Sequence, residues 1–116
     1  MREPEVLSIR AREILADPKA DLLISIATPW EMAIKYRIGK LEHAEEILDN
    51  FENLVAAAGY RILETSTKHV IQGGRLPLHH KDPFDRLLIA QALDLRIPII
   101  SCDAILDAYG IRRIWN

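Results

Sequence analysis

The sequence has a single cysteine, Cys102, so no intrachain disulfide can form, which fits a reducing compartment. Long apolar runs are missing too. The longest, such as Ile97 to Ile100, are far too short to span a bilayer. The opening Met1-Arg2-Glu3-Pro4-Glu5 lacks the apolar core of a signal peptide, so a cytosolic, membrane-free protein is expected. There is no excess of positive charge: the formal net charge is -2. Bulk electrostatic attraction to nucleic acid is therefore excluded, and any such contact must come from a local basic patch. Internal repeats and low-complexity stretches are also absent, which leaves no linker.

What remains is enough for one globular domain over residues 1–116. Hydrophobic residues make up 49% of the chain and charged residues 28%, a balance that argues against disorder. A chain of this length holds one core, not two.

Val6, Leu7, Ala11, Ile14 and Leu15 recur at helical spacing, and Asp17-Pro18 ends that helix. Leu22 to Ile26 reads as a strand buried on both faces. Thr28-Pro29-Trp30-Glu31 opens a helix, with Thr28 as N-cap, and Gly39 closes it. Ile47, Leu48, Phe51, Leu54 and Val55 predict one amphipathic helix ending near Gly59. Tyr60 to Leu63 is a strand. Ser66 caps a short helix that Gly73-Gly74 breaks. Leu76 to Lys81 is a loop. Asp82-Pro83 starts the clearest helix, through Leu95. Ile97 to Ser101 is a strand, Asp103 to Tyr109 a short helix, and Ile111 to Trp115 a last strand. Strands alternating with helices predict a three-layer α/β/α fold with a parallel sheet. Ligands in such folds sit beyond the carboxyl ends of the strands. One feature is out of pattern. The chain opens with a helix that has no strand before it.

Three acids follow strand ends: Glu31, Asp85 and Asp103. Clustered carboxylates that hold magnesium or manganese suit phosphodiester hydrolysis, which needs an activated water and neutralised charge. An all-oxygen site fits those ions better than zinc. Each acid also has a plainer reading. Glu31 completes a capping box with Thr28, Asp85 lies in a first turn behind the N-cap Asp82, and Asp103 caps the helix after it. The two readings differ geometrically. Ligands should face a common point at separations of about 4–8 Å, whereas caps should turn back on their own helix amides.

The run Leu76-Pro77-Leu78-His79-His80-Lys81-Asp82-Pro83-Phe84-Asp85-Arg86-Leu87-Leu88-Ile89-Ala90-Gln91-Ala92 closely resembles the central motif of PIN-domain proteins, and the nearest branch is VapC-like toxins of toxin–antitoxin pairs. Trp30 to Lys35 with Gly39-Lys40-Leu41, and Ile99 to Asp103, resemble an earlier and a later motif of that branch. The resemblance implies a magnesium- or manganese-dependent endoribonuclease acting on RNA. It also implies neutralisation by a cognate antitoxin, and a homodimer. Glu31, Asp85 and Asp103 match the second, third and fourth acids of the family, and Asp82 is an extra acid given a capping or supporting role. The family's first strand, central in its sheet and ending in a ligand aspartate, has no counterpart here; Glu3 and Glu5 are not nominated for it. Its neighbours would then have unpaired edges. A misplaced start and a truncated, inactive remnant that only binds antitoxin or dimerises are the two explanations.

Lys35, Arg86, His79 and Lys81 are the candidate RNA contacts. Lys35 also has a simple pairing with Glu31 at i, i+4. A zinc reading of His79 and His80 is set aside, because no partner His or Cys stands at zinc-site intervals; they are read as shaping the loop or touching RNA.

Overall fold

Apolar periodicity puts the helices close to their predicted places and leaves the strands short. The computed structural model describes residues 9–17, 19–42 and 44–115, with side chains from residue 13 onward. Val6, Leu7 and Pro18 of the first predicted helix, with Glu3 and Glu5, lie outside the described residues. The chain packs as two units. One is Asp21–Thr65; the other joins helix α1 (Ile9–Ala16) to the chain from Ser66 onward.

In the first unit, strands β1 (Leu23–Ser25) and β2 (Arg61–Leu63) pair in parallel, with Ile24 opposite Ile62. Helices α2 (Ala27–Arg37), α3 (Glu45–Asp49) and α4 (Phe51–Ala57) lie between them in sequence. Two predictions change here. Thr28 is not the N-cap of α2, because the helix already begins at Ala27. The buried Ser25 makes this earlier start possible, since its Oγ accepts the Ala27 N–H at 3.2 Å. The single helix predicted through Ile47 and Val55 is two helices, split at Asn50 (φ −131°, ψ 27°). Asn50 Oδ1 accepts from Asn53 Nδ2 at 2.8 Å, the kind of local side-chain bond that lets asparagine leave a helix.

In the second unit, α5 (Thr67–Arg75) packs against α6 (Pro83–Leu95). Strands β3 (Ile99–Ile100) and β4 (Arg113–Ile114) pair in parallel, and a 3-10 helix (Ala104–Tyr109) connects them. Ser66 caps α5 as predicted, accepting from the His69 N–H at 3.3 Å. Gly73-Gly74 does not break α5, which continues to Arg75. The reason is packing. A Cβ on Gly73 would stand 3.3 Å from the Arg86 carbonyl oxygen of α6, so glycine permits close approach of the helices. The core of this unit is Ile89, Ala92, Ile99 and Leu106, with Leu88, Leu93 and Ile111 packed against it.

The fold class is α/β with parallel strands. The single predicted sheet is replaced, among the described residues, by two separate parallel pairs. Each strand is only two or three residues long and hydrogen-bonds to one neighbour. No described helix is long and apolar enough to cross a membrane.

Candidate metal centre

The loop Leu76–Lys81 and the start of α6 build the candidate site, and the start of α6 follows from its sequence. Pro83 takes the first helical position, where its missing N–H costs nothing. Asp82 is the N-cap: its Oδ1 accepts the N–H of Phe84 at 2.9 Å and of Asp85 at 3.4 Å. Asp85 is thereby fixed in the first turn. Asp103 follows the end of β3. Its Oδ1 accepts the Ile105 N–H at 3.2 Å, and its own N–H donates to Ser101 Oγ at 3.0 Å.

The centre of the cluster is a residue that spacing had set aside. His80 is 4% exposed, and its Nε2 lies 2.9 Å from Asp85 Oδ2 and 3.1 Å from Asp103 Oδ2. The three ligand-type atoms lie within 4.8 Å of one another, inside the separation expected for metal ligands. Asp103 therefore serves both readings at once, with one oxygen on its helix amide and the other toward the shared point. The other ring nitrogen of His80 is also engaged, because Nδ1 accepts the Asp82 N–H at 3.2 Å. The His80 backbone N–H donates to the Tyr109 hydroxyl at 2.8 Å, and that hydroxyl donates to the Pro77 carbonyl at 2.6 Å. His80 is thus held from three sides. Two carboxylates aimed at one point form an oxygen donor set that fits a divalent ion.

Arg86 meets a different fate from the predicted phosphate contact. It is 7% exposed, and its guanidinium donates to four backbone carbonyls: Pro77 and His80 through Nη1, Gly74 and Leu76 through Nη2. An arginine in a helix's first turn opposes the dipole. Here it is held because its planar fork closes the loop that carries His80. A single loop-spanning donor of this kind leaves no mark in sequence periodicity.

His79 is exposed and stacks edge-on against Tyr109, with ring centroids 5.1 Å apart. Lys81 is exposed on the same loop. Glu31 belongs to the other unit, where it is 4% exposed and pairs with Lys35 at 3.1 Å. That is the i, i+4 pair read from spacing. Arg113 of β4 was not foreseen. It forms a two-pronged pair with Asp107 at 2.9 and 3.1 Å, and Nη1 donates to the Ser101 carbonyl. The Arg113 hydrogen bonds hold the Asp107 carboxyl below its usual range. The signal for His80 was present in hindsight, two residues ahead of an Asp-Pro helix start. Only the return of the chain through Asp103 gives it meaning.

Comparison with curated proteins and with solved structures finds no match to this chain. The PIN domain model, in contrast, matches residues 1–111, which is nearly the whole chain, and the protein therefore belongs to the PIN domain family.

Proposed function

We propose that this chain is a divalent-metal-dependent endoribonuclease, the VapC-like toxin of a toxin–antitoxin pair, with residues 1–116 acting as one cytoplasmic domain. Membership of the PIN family implies a nuclease and a nucleic-acid substrate. The observation that carries the metal-dependent reading is the convergence of Asp85 Oδ2 and Asp103 Oδ2 on one point. Asp85 and Asp103 would hold magnesium or manganese; Glu31 enters only as the acid that the motif resemblance assigns to the family's second position. Such an ion, when bound, supplies positive charge against the transition state and acidity toward water.

The remaining residues do the positioning. Asp82 fixes the first turn of α6 and so the direction of Asp85. Arg86 and Tyr109 fix the loop that carries His80. His79 and Lys81, exposed on that loop, are the proposed RNA contacts, and Lys35 reaches substrate only by leaving Glu31. A protein partner, antitoxin or second copy, is supported by the apolar row Trp30, Ile34 and Ile38 on and just after α2. These residues are 60%, 39% and 57% exposed, at spacing that puts them on one helix face.

The test is cleavage of structured RNA by the purified chain, with and without magnesium or manganese. Asp85→Asn should lower the rate by at least roughly 10²-fold while the thermal melt stays within a few degrees of the parent. Cleavage that persists in chelator, or survives Asp85→Asn, would refute the mechanism. Capture of an antitoxin by a chain with no nuclease activity would favour the inactive binding module instead.

A further inference from the structure

His80 occupies an unusual place in the cluster. Its Nε2 is within hydrogen-bond distance of both carboxylates, 2.9 Å from Asp85 and 3.1 Å from Asp103. Its Nδ1 faces the N–H of Asp82 at 3.2 Å. A backbone N–H can only donate, so Nδ1 must be the acceptor and the ring hydrogen must lie on Nε2. Nε2–H therefore points at the two carboxylates and donates to both. The ring is 4% exposed, so it has little access to water as an alternative partner.

This has a consequence for a cation. Without a donor between them, two carboxylates with oxygens within 4.8 Å repel each other. The Nε2–H relieves that repulsion from the point a cation would otherwise satisfy. Ligation by Nε2 would require the ring hydrogen to move to Nδ1, where it would face the Asp82 N–H directly. The Asp82 contact thus sets His80 as a donor and makes it a poor ligand.

We propose that His80 is a resident stand-in for the cation: in the metal-free protein it holds Asp85 and Asp103 together, and a divalent ion binds by displacing its two hydrogen bonds. The proposal rests on the metal reading of Asp85 and Asp103 given above. It makes His80 a positioning residue that weakens metal affinity while securing the site's shape. It also predicts that metal entry moves the loop Leu76–Lys81, because His80 is tied to Tyr109 and Arg86 through its backbone.

The experiment uses the full chain and three proteins: the parent, His80→Ala and His80→Gln. Melting is recorded in chelator and with manganese, and manganese affinity is measured by calorimetry. His80→Ala should melt several degrees lower in chelator yet bind manganese roughly tenfold more tightly, since no hydrogen bonds have to be given up. His80→Gln keeps a side-chain N–H donor and should fall between the two. Weaker manganese binding by His80→Ala would overturn the proposal and make His80 a ligand. An unchanged melt in chelator would overturn it as well.

If His80→Ala does not fold, nitrogen NMR of the parent decides the question. Nε2 should carry the hydrogen in chelator and still carry it after magnesium is added. A hydrogen found on Nδ1 in either state refutes the assignment. A parent that takes up no manganese at all would sink the metal reading itself and the displacement step with it. The chelator melts and the tautomer would still report separately on whether His80 bridges the carboxylates.

Discussion

The two units bury their apolar residues very differently. In the unit from Asp21 to Thr65 the buried apolar side chains are Ala27, Ala44 and Val55, two of them no larger than a methyl group. In the other unit, Ile89 and Ala90 of α6 have no exposure, and Ile89 packs with Ala92, Ile99 and Leu106 in one buried cluster. Both units leave some large apolar side chains exposed, such as Trp30 and Ile38 in the first and Val70 and Leu78 in the second, so the contrast lies in what each unit buries. Hydrophobic stabilisation scales with the apolar area removed from water. The larger buried side chains belong to the α6 unit, and that unit carries the His80–Asp85–Asp103 cluster. A carboxylate pair can be held at fixed separation only by a well-packed frame.

The strongest way to break this contrast is to remove the clamp on the site loop. Arg86→Met removes the guanidinium donor from four backbone carbonyls, of which Pro77 keeps the Tyr109 hydroxyl, and should cost about 3–5 kcal/mol in a urea titration followed by far-UV circular dichroism. Arg86→Lys keeps the charge but loses the fork, and should recover only part of that. A change below about 1 kcal/mol for Arg86→Met would show that the loop does not depend on it.

Core truncation comes next. Ile89→Ala should cost about 3 kcal/mol, whereas Val55→Ala, which removes a smaller buried side chain in the other unit, should cost about 1–2 kcal/mol by the same titration. Equal losses would erase the distinction between the units.

The adjacent glycines of α5 give a finer test. Gly74→Ala meets nothing within 4 Å and should stabilise by about 0.5–1 kcal/mol through helix propensity. Gly73→Ala meets the α6 backbone at 3.3–3.5 Å and should lose that gain or reverse it. If both substitutions stabilise equally, α5 and α6 do not pack closely at Gly73.

The smallest effect is electrostatic. Hydrogen bonds from Lys68 and then His69 hold the Asp94 carboxyl below its ordinary range, tying α5 to α6. A folded value below the unfolded one, near 3.9, stabilises above that pH and is lost as pH falls through the folded value. Asp94→Asn should therefore melt below the parent at pH 7, and the gap should close by about pH 2. A gap that persists in acid would mean the loss is one of packing rather than charge.

Local rules of the chain were sufficient for much of this protein. Helix α6 is announced by Asp82-Pro83 and by its apolar spacing, and the cap forms as those residue types require, because N-capping involves only neighbours in sequence. Ser66 at the start of α5 and the Glu31–Lys35 pair were legible for the same reason. The α/β class and the acids Asp85 and Asp103 could be read from alternation and motif. Tertiary structure alone decided the rest. It put Gly73 against α6 instead of at a helix end, and turned Arg86 from a phosphate contact into a clamp on a loop. It also brought His80 to carboxylates 5 and 23 residues away. No periodicity encodes such meetings. They depend on where the chain returns in space, and that is set by the packing of α6 with β3 and the 3-10 helix.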